Sequence, residues 1–187
     1  MPEHRSEKSV PAPWHVPVAV EDIGEDGQHF ALVADADLRA RIAHIASLRD
    51  LPRLEADFSL TRQGGGGLRV IGRVSATVGQ NCVVSLEPLT NEIEEDVDLL
   101  FVPKSAAELT AAETETEGYR AESKWDKPEP LIGGVVDLGA IATEFLILGI
   151  DPYPRKPGAV FEPPQDPKPD GGPFAGLASW SKDRNDR

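Results

Sequence analysis

The chain has 187 residues, of which 40% are hydrophobic, and this length corresponds to one domain with tails. Its 32 acidic and 19 basic residues give a formal net charge of −13, which disfavours unaided RNA or DNA binding because phosphates are repelled. A single cysteine excludes an internal disulfide, and the absence of both a secretory signal and a run of roughly 18 apolar residues predicts a cytoplasmic protein without a membrane segment.

The first part of the chain predicts an edge strand followed by a helix. Apolar residues alternate over positions 14–20, which indicates a strand, and Pro17 places that strand at a sheet edge because it cannot donate a ladder hydrogen bond. Asp35 or Asp37 caps the helix, and Pro52 closes it. The apolar stripe of the helix comprises Leu38, Ile42, Ile45 and Leu48.

Two long antiparallel strands are predicted around the glycine run at positions 64–67. The inward residues of the first strand are Leu54, Ala56, Phe58 and Leu60, and those of the second are Leu68, Val70, Val74, Ala76 and Val78. The glycine run lacks the Lys-Ser/Thr pair and the helix of a phosphate-binding loop, so a hairpin is favoured. Gly72 indicates a bulge or a close contact.

The middle of the chain predicts two more strands and a loop. Residues 82–86 indicate a strand that Pro88 ends. In the next strand, apolar residues alternate with acids, as in a half-buried strand with an acidic outer side. The apolar set is Ile93, Val97, Leu99 and Phe101, and the acidic set is Glu92, Glu94, Asp96 and Asp98. Residues 103–127 are polar and predict an acidic mobile loop.

The last part predicts a second helix and a proline-rich tail. Asp137 caps the helix, Gly149 ends it, and its apolar residues are Leu138, Ile141, Phe145 and Leu148. Many prolines then predict an extended chain. Three apolar anchors, Phe174, Leu177 and Trp180, either fold back on the core or are offered to a groove on a partner, and the prolines favour the second alternative.

These elements indicate an α+β fold, with a curved antiparallel sheet or a small barrel, two packed helices and a Pro-rich C-terminal tail. We expect a flexible N-terminus over residues 1–12 and a single domain over residues 13–162. The tail then comprises residues 163–187.

The residues that could carry chemistry favour a structural interpretation. Cys82 lies in an apolar run, where cysteine usually packs as a small hydrophobic residue, and the adjoining Glu87 is expected to raise its pKa. The histidines and the cysteine lack the spacing of a metal site. We therefore expect no catalytic residues, no metal and no cofactor.

Two clusters of residues are candidates for contacts with a partner. Glu94, Glu95 and Asp96 belong to the acidic strand, where a solvated face is the ordinary interpretation. Tyr153, Arg155 and Lys156 bring cations and an aromatic ring together among rigid prolines. They form either a contact patch or a set of ion pairs with the acidic strand of the same chain, and the sequence leaves both alternatives open.

Several stretches, taken together, resemble the YceD-like family of large ribosomal RNA accumulation proteins. They are Gly72-x-Val74-x-Ala76-x-Val78, residues 80–88, residues 93–95 with 101–103, residues 136–139 and 144–148, residues 151–158, and Pro173-Phe174-Ala175-x-Leu177-Ala178. Many members carry Cys-x-Arg-Cys-Leu where this chain has Cys82, followed by Val84 and Ser85 in place of the arginine and the second cysteine. This departure argues against a zinc or dithiol role.

The resemblance implies a part in ribosome biogenesis in the bacterial cytosol, namely accumulation or processing of large-subunit ribosomal RNA. Combined with the net charge, it predicts a non-catalytic factor that works through protein partners with basic surfaces, such as a ribosomal protein or an assembly factor. In this hypothesis the acidic strand and loop attract the partner, and the tail anchors it. The alternatives are an RNA-processing enzyme and a metal-binding module, each using Cys82.

Overall fold

The computed structural model describes residues 12–103 and 128–161, and within these residues it has mixed α and β content. The strands are β1 (Pro17–Ala19), β2 (Gln28–Val33), β3 (Asp50–Gln63), β4 (Gly67–Asn81), β5 (Pro88–Pro103), β6 (Glu129–Leu131) and β7 (Val135–Asp137), and the helices are α1 (Ala36–Ile45) and α2 (Leu138–Gly149). Short 3-10 turns lie at Val20–Asp22 and Gly64–Gly66.

The strands form an open five-stranded sheet and a separate two-stranded one. The larger sheet has the order β2-β3-β4-β5-β6, in which only the β5–β6 pair is parallel, and β1 pairs with β7 antiparallel. No ladder joins β2 to β6 in the part of the chain described. The small barrel offered as an alternative by the sequence is therefore wrong, because closure requires bonds between the outermost strands, and β6 has only three residues.

The β3–β4 hairpin supplies the centre of the core, and its predicted alternation is confirmed. All nine predicted inward residues on the two strands are buried, including Phe58, which is fully enclosed. Gly72 lies opposite Phe58 in the ladder, and a Cβ there would lie 2.0 Å from the Asp57 carbonyl oxygen and 2.6 Å from Cδ1 of Phe58. The predicted close contact is confirmed, since only a glycine leaves space for the Phe58 ring.

Helix α1 begins as predicted but ends earlier. Asp35 is its N-cap and accepts a hydrogen bond from the Leu38 N–H at 2.8 Å. Ser47 adopts a positive φ of 55°, and Leu48 N–H donates to the Ala43 carbonyl, which is the arrangement of a Schellman motif. The helix thus ends before Pro52, which belongs to β3, and Leu48 reaches the core from outside the helix. The predicted inward position of Ile45 is also wrong, because that side chain is exposed.

Helix α2 begins at the predicted cap and packs on the sheet through one face. Asp137 accepts hydrogen bonds from the N–H groups of Gly139 and Ala140 at 3.1 and 3.2 Å. The buried side chains include Leu138, Ile141, Ala142 and Leu146. Leu148 is 70% exposed, contrary to prediction, because at 100° per residue it lies away from the line through Leu138 and Leu146. Neither helix in the described chain is long and apolar enough to cross a membrane.

Candidate functional site

Residues 82–87 form a tight turn between β4 and β5, and the predicted strand at 82–86 is wrong. Cys82 N–H donates to the Glu87 carbonyl at 2.8 Å, and Leu86 N–H donates to the Cys82 carbonyl at 2.9 Å. Leu86 has a φ of 61°, which a strand residue does not adopt. Pro88 therefore begins β5, where it pairs with Asn81, instead of ending a strand. The apolar residues of this segment are typical of a strand, but its backbone forms a turn.

The segment that follows α2 lies against this turn, and we call residues 80–87 together with residues 151–156 the clasp. Val83 N–H donates to the Pro154 carbonyl at 2.9 Å, and Gln80 Nε2 donates to the Asp151 carbonyl at 2.8 Å. Lys156 Nζ lies 3.0 Å from Oε2 of Glu87. Pro154 is buried. The proline-containing exit from α2 is thus held on the sheet by several bonds.

The sulfur of Cys82 lies between the two halves of the clasp. It is fully buried and accepts hydrogen bonds from the backbone N–H groups of Lys156 and Ser85, both at 3.4 Å. The bond from Lys156, followed by those from Ser85, lowers the pKa of the Cys82 thiol to about 6, against the opposing effect of burial. These donors favour a thiolate, but burial leaves the sulfur no open side from which a substrate could be attacked.

Glu87 does not act on the thiol in the predicted way. Its carboxylate binds Lys156 and accepts a hydrogen bond from the Ser85 hydroxyl, and these contacts hold the pKa of Glu87 below its ordinary value. The negative charge next to the turn is therefore matched by a cation. The expectation that Glu87 raises the pKa of Cys82 is wrong for this reason.

The site offers little to a metal ion. Within residues 12–103 and 128–161, no group of three or more His, Cys, Asp or Glu side chains could hold one. Ser85 contributes its backbone N–H to the Cys82 sulfur. Thus Cys82 is bound by donors, whereas a metal centre would require further acceptors around the ion.

The outer side of the clasp exposes apolar residues and a cation. Leu86 and Tyr153 are 77% and 72% exposed, and Val83 is also exposed. Lys156 is paired with Glu87, but Arg155 is exposed and makes no hydrogen bond or ion pair with any residue that the structure describes. Tyr153 and Arg155, which the sequence singled out, are therefore exposed, as are Val83 and Leu86, which it did not single out.

The acidic face of β5 is paired with arginines of β3 and β4. Asp96 and Glu94 lie 2.8 and 3.7 Å from Arg73. Two further pairs, Arg53–Glu92 and Arg69–Asp98, have separations of 2.9 Å each. The alternation of Arg69 and Arg73 on β4 was the signal in the sequence for this arrangement. The strand is consequently less negative at its surface than its own composition indicates.

The three acids that the sequence grouped together do not share a face. Glu94 and Asp96 are exposed on the outer side of the sheet, whereas Glu95 is half-buried on the opposite side, close to Gly149 at the end of α2. Side chains alternate along a strand, so consecutive residues cannot form one patch. Pro103, the first residue of the predicted acidic loop at residues 103–127, is the last residue of β5. The rest of that loop and the other predicted contacts, Phe174, Leu177 and Trp180, lie outside the described residues.

Comparison with known families identifies one match. A family model described as "Large ribosomal RNA subunit accumulation protein YceD" matches residues 70–173. This range begins in β4, includes β5, β6, β7 and α2, and contains both halves of the clasp. Neither a curated protein nor a solved structure matches the chain.

Proposed function

Because this chain belongs to the YceD family of large ribosomal RNA subunit accumulation proteins, we propose that it is a non-catalytic factor supporting accumulation or processing of that RNA through protein partners. We place it in the cytoplasm, where bacterial ribosomes are assembled. The observation that carries the proposal is the clasp, in which Tyr153, Arg155 and Leu86 are exposed on a support held by long-range hydrogen bonds.

The composition of the exposed clasp supports a protein partner. Tyrosine and arginine are enriched among the residues that dominate binding energy at protein interfaces, and exposed aliphatic side chains beside them supply apolar contact area. The net charge of −13 opposes binding of an RNA backbone and steers a partner with a basic surface toward the molecule. In this proposal charge brings the partner close, and the clasp anchors it.

The ion pairs on β5 favour the clasp over the acidic strand as the contact surface. Glu94 and Asp96 share Arg73, so part of their negative charge is already compensated within the chain. Arg155, in contrast, has no partner among the described residues. A contact made at the clasp therefore breaks no existing ion pair of Arg155.

A second candidate is an enzyme or metal-binding module that uses Cys82, and the lowered pKa of the thiol favours it. The buried position of the sulfur weighs against this candidate. Cleavage of precursor ribosomal RNA by purified protein, if lost on the Cys82→Ala substitution, would support it. The assembly-factor proposal expects no cleavage by either protein.

The proposal is tested by affinity capture with the tagged full chain, compared with two matched double variants. Leu86→Ser/Arg155→Ala alters the clasp without adding an acid that would attract a basic partner, and Val33→Ser/Arg41→Ala makes the same changes at exposed positions outside it. We expect capture of ribosomal proteins or assembly factors to fall about ten-fold for the clasp variant, as for loss of one strong contact, and to persist for the control.

A cellular measurement completes the test. In cells lacking the gene, the clasp variant should fail to restore the ratio of large-subunit to small-subunit ribosomal RNA, whereas the control variant should restore it. Equal capture and equal restoration by both variants, or no enrichment of ribosomal proteins or assembly factors by the unaltered chain, would contradict the proposal.

A further inference from the structure

The outward side of α2 carries a shallow apolar groove of about 260 Å³. Its lining residues are Ala12, Ala140, Thr143, Glu144, Ile147 and Leu148. The surface is almost entirely apolar, and the two largest aliphatic side chains in it are exposed, Ile147 at 43% and Leu148 at 70%. No residue among those described covers the groove.

The composition of α2 indicates that this groove is normally covered. Glu144 is its only charged residue, so the helix is apolar on nearly all sides. A helix on the surface of a soluble domain usually carries a polar outward face, whereas one that is apolar all round is buried on all sides. The inward side of α2 packs on the sheet. We therefore expect a further apolar segment to cover the outward side, which the described residues leave exposed.

Of the chain segments that adjoin the described domain, the C-terminal one fits the groove. The large apolar residues of residues 104–127, namely Leu109, Tyr119 and Trp125, are spaced by ten and six positions and are not clustered. Residues 1–11 join the domain at Ala12 but contain only Met1 and Val10 as large apolar residues outside proline. Residues 162–187 contain Phe174, Leu177 and Trp180, spaced by three residues. The C-terminal segment therefore supplies the larger apolar surface.

The tail is long enough to reach the groove. Twelve residues lie between Phe161 and Phe174, which allows an extended span of roughly 40 Å. A domain of this size has a radius of gyration of roughly 14 Å, so its diameter is comparable to that span. The chain also leaves the domain through the segment that directly follows α2.

We propose that Phe174, Leu177 and Trp180 pack into the groove on α2, so that the tail covers its own domain. This inference is independent of the proposed function, because it concerns neither the clasp nor ribosomal RNA. In this proposal the tail binds Ile147 and Leu148 of its own domain. The proline content of the tail had favoured the alternative, a groove on a partner protein.

Limited chymotrypsin digestion of the full chain tests the proposal, since the protease cleaves after aromatic residues and reaches a docked segment slowly. The rates of cleavage after Phe174 and Trp180 are followed by mass spectrometry, with cleavage after Tyr119 as the internal reference. Leu148→Ser alters the groove, and Val33→Ser removes an equally exposed aliphatic side chain that does not line it.

We expect Leu148→Ser to raise the cleavage rates after Phe174 and Trp180 about ten-fold relative to Tyr119, the change in docking equilibrium expected from losing one buried leucine. Val33→Ser should leave them unchanged. Equal rates in both variants overturn the proposal. A loss of tail protection on dilution of the unaltered chain also overturns it, because the groove then covers the tail of a second copy.

Discussion

The backbone N–H of Lys156 donates a hydrogen bond to the sulfur of Cys82 at 3.4 Å and so joins two residues that are 74 positions apart. A neighbouring bond, from Val83 N–H to the Pro154 carbonyl, runs between the same two segments. The position of Tyr153 and Arg155 thus depends on a turn from which they are separated in the sequence by β5, β6, β7 and α2.

Replacing Cys82 tests how strongly the sulfur holds the clasp. Cys82→Ala removes the acceptor of two N–H groups and leaves a small cavity, so we expect the Tm to fall by roughly 2–8 °C. Cys82→Ser keeps an oxygen acceptor and should lose less. Differential scanning calorimetry measures both, and an alanine variant as stable as the original chain would contradict the structural role.

The pH dependence of that effect follows from the thiol pKa. The folded-state pKa of Cys82 is about 6, whereas an unfolded thiol titrates near about 8.5. A lowered pKa contributes stability that is fully present above the unfolded value and is lost as the pH falls through the folded value. The stability difference between the original chain and Cys82→Ser should therefore grow from pH 6 to pH 9 in urea denaturation. A flat difference would show that the thiolate is not stabilised.

Asp137 connects the start of α2 to β1. In addition to capping the helix, its Oδ1 accepts the Val16 N–H at 2.8 Å. We expect Asp137→Ala to lower the free energy of unfolding by about 2 kcal/mol, near the upper end for a cap. Asp35→Ala, which removes the simpler cap of α1, should cost about 1 kcal/mol. Urea denaturation compares the two, and equal losses would mean that the contacts of Asp137 with Val16 and His15 contribute nothing measurable.

Gly72 tests the packing of the hairpin. An added methyl group would overlap the Asp57 carbonyl oxygen and the Phe58 ring, so we expect Gly72→Ala to destabilise the protein by about 3 kcal/mol or more. Gly24→Ala is the matched control, because a Cβ there meets nothing within 4 Å. Denaturant midpoints give the comparison, and a similar shift in both variants would contradict the close approach of β3.

The outer face of β5 provides a test of charge. Glu94→Lys/Asp96→Lys places two cations beside Arg73, so we expect lower stability in dilute buffer and partial recovery in 1 M salt, where screening is stronger. Thermal melts at both salt concentrations measure this effect. If the double variant also loses partner capture as completely as the clasp variant does, then β5 belongs to the contact surface and the preference for the clasp is wrong.

The predictable part of the fold rests on local and periodic signals. Alternation from Leu54 to Leu60 identified the core side of β3, and an aspartate before an apolar segment identified the start of α2. The Cys82 turn was missed because its apolar residues imitate a strand, while the bonds that shape it come from Pro154 and Lys156, far along the chain. No periodicity in the sequence records such contacts.

The candidate site was predictable only in part, for a related reason. Tyr153 and Arg155 were identifiable by residue type, but their neighbours Val83 and Leu86 were assigned to a strand. The acidic strand was identified by composition, yet its pairing with Arg73 depends on strand register. Charge counts along the sequence contain no information about pairing across a sheet.

Cys82 is the only cysteine of the chain, and its sulfur is inaccessible while the clasp is closed. A thiol-alkylating reagent therefore reacts only during transient separation of residues 151–156 from the turn, and the alkylation rate measures how often that local separation occurs. Each tenfold slowing of alkylation corresponds to about 1.4 kcal/mol of additional protection. The unmodified protein thus contains its own kinetic probe, and a molecule bound across Tyr153 and Leu86 should be detectable by slower labelling of a sulfur that it never touches.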